Sequence, residues 1–380
     1  MGRFTEETEE HSMFRSSVQG FIQKEVRPFF QDWEAQGIVS RELWEKAGAA
    51  GLLCPQIPEE YGGPGCSFKY NTMVVEEFTG EGFIGPVNNF SVHSDVCAGY
   101  LLGYGSEEQK KKWLPRMVSG ETVCAIAMTE PGTGSDLQAI KTRAKRQGDS
   151  YIINGSKTFI SNGQHADLVI VVARTGEEPG AAGISLVLVE STREGFERGR
   201  NLDKIGHHSA DTSELFFSDV EVPASNLLGS EGSGFGALMS ELPQERLTIA
   251  VASIGAAQYA FDITRHYMEE RTAFGKPIIK FQANSHKMAD LKADLAVGWA
   301  FVDQCIKQHE LGELTPANAS IAKLWCSELQ GKLVDQCLQF FGGYGFMKEY
   351  EIGRLFNDAR VQRIYGGTSE IMRELISRYL

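Results

Sequence analysis

The sequence predicts a mainly α-helical chain with a central β domain. Three changes of texture carry that prediction. From residue 9 to about 120 apolar residues recur at helical intervals, from about 123 to 230 the chain breaks into short β-branched runs separated by turns, and from about 231 long helical patterns return. The implied division is an all-α domain over 1–122, a β domain over 123–230 and a helical domain over 231–380.

In the first region Met13, Phe14, Val18, Phe21, Ile22 and Val26 fall three or four residues apart, one face of a helix. Ser40 stands where an N-cap is needed for a helix carrying Leu43 and Trp44. Gly62-Gly63-Pro64-Gly65 breaks the pattern, which resumes over 74–78 and again up to Trp113. In the second region residues 151–153, then Asn154-Gly155, then 157–161 read as a hairpin, and Asn162-Gly163 is a further turn signal. Residues 168–173, 184–189 and 214–222 read as strands, the last stopped by Pro223. Helices are expected over 247–268, 281–311, 317–340 and 368–379. With neither an internal repeat nor a low-complexity linker between them, the units are expected to pack together.

A chain of 380 residues, 42% hydrophobic, can bury a large core. Its 37 basic and 50 acidic residues leave a net charge of −13, which argues against a nucleic-acid backbone as partner. The apolar runs 168–173 and 184–189 are too short to span a bilayer, and the acidic stretch from Met1 to Glu10 is unlike a signal peptide. No membrane association is expected, and the location implied is cytoplasmic, or the mitochondrial matrix for a processed eukaryotic chain. The seven cysteines include no CxxC pair and make an odd number, so they read as reduced packing residues, with no metal site.

Neither GxGxxG nor GxxxxGK[ST] occurs, which disfavours Rossmann and P-loop nucleotide sites. Met128-Thr129-Glu130-Pro131-Gly132-Thr133-Gly134-Ser135-Asp136 instead combines glycines with small hydroxyl residues, a composition that lets backbone N–H groups converge on an anion or simply makes a surface turn. Four more segments follow: Asn154-Gly155-Ser156-Lys157-Thr158-Phe159-Ile160-Ser161-Asn162-Gly163, Arg271-Thr272-Ala273-Phe274-Gly275-Lys276-Pro277, Gln339-Phe340-Phe341-Gly342-Gly343-Tyr344-Gly345 and Ile364-Tyr365-Gly366-Gly367-Thr368-Ser369-Glu370-Ile371. In this order and spacing the five segments resemble the acyl-CoA dehydrogenase family over essentially the whole chain.

The resemblance implies a helical N-terminal domain, a β-barrel-like middle domain and a C-terminal four-helix bundle, assembled as a homotetramer. It implies FAD between the β domain and the bundle, an acyl-CoA or acyl-carrier-protein thioester as substrate, and electron-transfer flavoprotein as acceptor. By motif position Ile126, Met128, Thr129, Gly134 and Ser135 line the flavin, with Thr129 near the ring and Ser135 at the pyrophosphate, and Phe159, Ile160 and Ser161 flank the ring face. Arg271, Phe274 and Gln282, with Gln339, Gly342 and Gly343 of another subunit, hold the adenosine diphosphate half, and Thr368, Ser369 and Glu370 complete the site. A guanidinium such as Arg271 is also the partner that a pyrophosphate chemically calls for.

The implied reaction takes an α-proton onto a carboxylate while a hydride leaves the β-carbon. Many relatives place that carboxylate directly after the tyrosine of the last segment, where this chain has Gly366. Long-chain and isovaleryl-type members carry it on a bundle helix, and Glu241-Leu242-Pro243-Gln244-Glu245-Arg246-Leu247 resembles that helix of the long-chain type. Glu245 is therefore the candidate base, with the N–H of Gly366 a donor to the thioester oxygen and Ser135, Pro243, Gln244, Arg246, Gly366 and Gly367 on the substrate side. Pro243 either frees a carbonyl inside the helix or sits harmlessly in its first turn. Gly236 stands where long-chain relatives carry a bulky aromatic residue, a gap that would either widen the cavity or be offset by Phe235, and a medium-to-long or branched acyl chain is expected. Three rival readings remain: an acyl-CoA oxidase, an enzyme for carrier-protein thioesters, and a non-catalytic flavin-binding subunit suggested by Gly366.

Overall fold

The structure, a computed structural model, describes residues 7–178 and 180–380. The first six residues, on which the reading of the N-terminus partly rests, lie outside the described residues.

Seven helices come first: α1 (Glu9–Phe21), α2 (Phe30–Gln36), α3 (Arg41–Ala49), α4 (Phe68–Gly80), α5 (Ile84–Ser91), α6 (Ala98–Tyr104) and α7 (Glu107–Val118). Thr8 caps α1 by accepting from the His11 N–H, and Ser106 caps α7 in the same way from Gln109. Ser40 stands at the N-cap of α3 in extended conformation, but its side chain makes no capping bond. The face predicted for α1 is buried at Val18 and Phe21 and continues through Ile22 and Val26 of a π-helical turn, whereas Met13 is 67% exposed. A second π-helical turn, Val92–Cys97, joins α5 to α6.

The middle of the chain is one eight-stranded sheet built from β1 (Cys124–Ala127), β2 (Arg143–Gln147), β3 (Ser150–Ser161), β4 (Leu168–Arg174), β5 (Ile184–Glu190), β6 (Phe196–Asn201), β7 (Thr212–Pro223) and β8 (Leu227–Leu228). Its order is β6-β7-β3-β2-β4-β5-β8, with β1 parallel to β4 at the side. The unbroken apolar runs of β4 and β5 have a simple cause. Leu168, Ile170 and Val172 with Ile184, Leu186 and Leu188 join the core shared with the helices, while Val169, Val171 and Ala173 with Val187 and Val189 join a second core inside the β domain. Both faces are buried, so alternation is lost.

The hairpin expected at Asn154-Gly155 is not formed. β3 runs straight through, antiparallel to β7, and the pair Ile153↔Val220 is followed by Gly155↔Phe217, so β7 carries an extra residue there. Asn154 is held by reciprocal bonds with Asp219, its amide donating to Oδ1 at 2.8 Å and its Oδ1 accepting from the Asp219 N–H at 2.9 Å. Gly155 lies against β2's approach, where a Cβ would come within 2.4 Å of Thr142 Oγ1. A turn signal in sequence became a bulge because a long-range partner absorbed its polar groups. Asn162-Gly163 does turn the chain, Asn162 adopting φ +64°.

Beyond α8 (Gly234–Glu270) a short ribbon, β9 (Thr272–Ala273) and β10 (Lys276–Pro277), leads into α9 (Gln282–Glu310), α10 (Pro316–Phe341), α11 (Glu351–Ala359) and α12 (Ser369–Ser377). α8 starts well before residue 247 and passes through Pro243, which lies in its interior and not in its first turn. It is apolar and long enough by composition to cross a membrane, but 67% of that window is buried inside the protein, as in a core helix. α11, which carries Ile352 and Leu355 inward, was not anticipated. All seven cysteines are free and six are buried.

Candidate active site

A cavity lies where α5, the Val92–Cys97 turn, β1, the end of β3, α8 and the 362–366 loop meet. Its wall includes Val92, Val96, Ile126, Met128, Thr129, Phe159, Ile160, Ser161, Glu245, Ile249, Tyr365 and Gly366. The two alternative base positions, Glu245 and Gly366, thus border one space. Pro243 has no N–H, which leaves the Met239 carbonyl without its helical donor just before the base.

Glu245 is 8% exposed, and Tyr100 donates its hydroxyl to Oε1 at 2.8 Å. Burial pushes its pKa up to about 7; the Tyr100 bond and the charge of Arg246 act the other way, and Glu241, one turn earlier, adds to the rise. Glu241 is itself raised by burial. A carboxylate brought near neutrality inside an apolar cavity is suited to accept a weakly acidic proton.

Phe159 owes its position to a second irregularity. Between Lys157↔Leu215 and Ile160↔Ser213 the extra residue lies in β3, and Phe159 there takes φ +59° and stays 67% exposed beside the cavity. An aromatic residue in left-handed backbone, left uncovered by its own chain, points to an external planar partner. The facing segment is anchored from below. Lys157, fully buried, donates to the Met128 carbonyl at 2.9 Å and to Glu130 Oε1 at 3.0 Å, and Glu130 also accepts from the N–H groups of Lys141 and Thr142. Burial lowers Lys157 to about 8, the Glu130 charge opposing that fall.

The other predicted residues divide. Ile126, Met128, Thr129, Phe159, Ile160, Ser161, Glu245 and Gly366 line the cavity. Gly134 and Ser135 are exposed and do not. Nor do Pro243, Gln244, Arg246 or Gly367. Gln244 is occupied as a tie, donating to the Asp95 carbonyl at 2.6 Å and bonding His309 Nε2 at 2.8 Å. Thr368 caps α12 by accepting from Ile371, Ser369 is buried and Glu370 exposed, all off the cavity wall. Phe274 is 97% exposed at φ +49°, and Gln282 is exposed at the start of α9.

Arg271, Gln339, Gly342 and Gly343 form a second recess with Tyr267 and Tyr344, the Arg271 guanidinium lying 5.7 Å from the Tyr344 ring centre. All four line one recess of this chain. A Cβ on Gly342 or Gly343 would meet nothing within 4 Å, leaving open backbone beside a cation with no carboxylate partner among the described residues. Sequence reasoning missed Tyr100, Lys157, Thr248, Lys323 and Gln362. Only Lys157, a charge at an inward-facing strand position, left a local signal.

An uncovered aromatic face, an open glycine-and-arginine recess and a raised carboxylate fit one class, a flavoprotein oxidoreductase. Family models for the acyl-CoA dehydrogenase N-terminal, middle and C-terminal domains match residues 8–121, 125–220 and 232–380. The chain is 51% identical to the mitochondrial long-chain specific acyl-CoA dehydrogenase of Rattus norvegicus, over 98% of this chain and 86% of that one. It is 36% identical to the mitochondrial isovaleryl-CoA dehydrogenase of Pongo abelii, over 98% and 88%. The solved structure of acyl-CoA dehydrogenase from Geobacillus kaustophilus superposes with a TM-score of 0.97 at 45% identity, covering 100% of this chain and 99% of that one. The chain belongs to the acyl-CoA dehydrogenase family, and its cofactor is FAD.

Proposed function

We propose that this protein dehydrogenates a medium-to-long or branched acyl-CoA to the trans-2-enoyl-CoA with Glu245 as base. The observation that carries the reading is the buried Glu245 carboxylate, hydrogen-bonded to Tyr100 and bordering the same cavity as Gly366. Glu245 takes the α-proton, and the electron pair left behind is accommodated on the thioester oxygen by backbone N–H groups of the Gly366 turn. FAD, when bound, would supply the hydride acceptor for the β-carbon. Met128, Thr129, Phe159 and Ser161 would hold its ring and the Arg271 recess the diphosphate half.

Val92, Val96, Ile126, Ile249 and Ala252 make an apolar lining suited to an alkyl chain, and the rat relative carries the long-chain name. The ionisable carboxylate at Glu245 speaks against a non-catalytic subunit. The Arg271 recess, distinct from the cavity, supports a homotetramer in which a neighbouring chain completes each FAD site. Electron-transfer flavoprotein as acceptor and a cytoplasmic or mitochondrial-matrix location follow the family reading. Anaerobic titration of the purified holoenzyme with acyl-CoAs of graded length and branching tests the proposal. Bleaching of the flavin by long or branched chains is expected, and no bleaching by any acyl-CoA would overturn it.

A further inference from the structure

The loop that faces Glu245 is held from behind by two buried cations. Lys323 of α10 has no exposed surface, and its Nζ donates to the Gly367 carbonyl at 2.7 Å. Arg246, 6% exposed, donates through Nε to the Gly366 carbonyl at 3.3 Å. Among the described residues neither has a carboxylate within ion-pair distance. Buried cations are ordinarily paired with carboxylates; these two are spent on successive carbonyls.

The turn favours glycine. Gly366 and Gly367 have φ of +63° and +98°, and a Cβ would meet Ile249 Cδ1 at 2.4 Å or Met372 Cε at 2.6 Å. Among the described residues the N–H groups of Gly366 and Gly367 have no acceptor. In a planar trans peptide the C=O and the following N–H point in opposite directions, so drawing the Gly366 carbonyl onto Arg246 turns the Gly367 N–H away from that cation. Both carbonyls are taken up by buried cations, and among the described residues neither glycine N–H is used within the chain.

We propose that Lys323 and Arg246 are positioning residues for the anion formed when the α-proton leaves: they hold the Gly366-Gly367 turn with its N–H groups free for the thioester oxygen and keep the region behind it positive. The inference rests on Glu245 acting as base. When the C–H bond breaks, the proton goes to Glu245 and the electron pair to the thioester oxygen, so one negative charge moves from carboxylate to enolate with no net change. Fixed cations near the receiving end favour that transfer most in a water-poor site.

Several other ionisable groups share this environment: Tyr100 on α6, Cys97 on the π-helical turn, Glu241 on α8, Glu328 on α10 and Glu370 on α12. Burial and, next, the charge of Arg246 together lower Lys323 to about 8, with Glu328 and Glu370 opposing that fall. The cation is therefore present at neutral pH.

The test uses acetoacetyl-CoA, a 3-oxoacyl thioester whose α-proton is acidic enough for the bound ligand to ionise without turnover. The long-wavelength absorbance of its enolate against oxidised flavin, followed with pH, reports the ligand's apparent pKa in the holoenzyme. K323M is expected to raise that pKa by about 1 and weaken enolate binding about tenfold, with flavin content and melting temperature near wild type, and K323R to restore most of the affinity. If K323M does not load flavin, K323Q is read in its place, since it retains a donor but not the charge. Enolate affinity and pKa matching wild type in the variant that loads would overturn the inference. Absence of the band in wild type would overturn the thioester site itself, and this inference with it.

Discussion

Tyr100 and Glu245, 145 residues apart in sequence, meet in a 2.8 Å hydrogen bond from the phenol to the carboxylate. The bond stabilises the charged form of Glu245 and so restrains the rise that burial imposes. Y100F removes that restraint. The acidic limb of kcat/KM against pH should move to higher pH by about 1, since a hydrogen bond to a charged group contributes roughly 1.5–3 kcal/mol. An unchanged limb would show that the two groups are not coupled in the working enzyme.

E245Q preserves size and hydrogen bonding but removes the proton acceptor. Turnover should fall by roughly 10²- to 10⁴-fold, with flavin content unchanged. Flavin reduction at the wild-type rate in stopped flow would mean that another group is the base.

The same substitution should stabilise the fold above neutrality. Because the folded-state pKa of Glu245 is raised to about 7, the protonated form is favoured in the native state, and that contribution is complete below the ordinary carboxylate range and lost as pH rises through about 7. At pH 8 the wild type holds a costly buried charge that E245Q lacks. E245Q should therefore melt higher than wild type at pH 8, by an amount corresponding to roughly 3 kcal/mol. The difference should disappear near pH 4.5, and equal melting temperatures at pH 8 would contradict the burial of the charge.

Moving the base to the family's other position should fail. In an E245Q background, G366E must place a side chain at φ +63° with its Cβ 2.4 Å from Ile249 Cδ1. Activity above that of E245Q alone is expected only when Ile249 is also shortened, as in I249A. Recovery by G366E without a change at Ile249 would show that the turn relaxes more readily than its geometry implies.

Arg271 is exposed, and its guanidinium lies over the Tyr344 ring with no carboxylate partner among the described residues, so R271A should leave the melting temperature of the flavin-free protein within about 1 °C of wild type. Retention of FAD on gel filtration should nonetheless drop at least tenfold if the guanidinium meets the diphosphate. Equal retention by both proteins would remove Arg271 from the cofactor site.

The helical texture of both ends, the strands over 168–173, 184–189 and 214–222, and Glu245 as candidate base were legible in the sequence. Helical spacing, β-branched runs and turn residues express interactions between near neighbours, and five motifs in order are a long-range pattern that survives without coordinates. Tertiary structure decided the rest. Asn154-Gly155 became a bulge because Asp219 supplied its polar partners. Gln244, adjacent to the base, turned to Asp95 and His309 instead of the cavity. The raised carboxylate, the Tyr100 bond and the two cations behind Gly366 all depend on which groups burial brings within a few ångströms of one another, and on how much water is excluded there. Those quantities belong to the packed molecule, since residues 145 apart carry no local sign that they will meet.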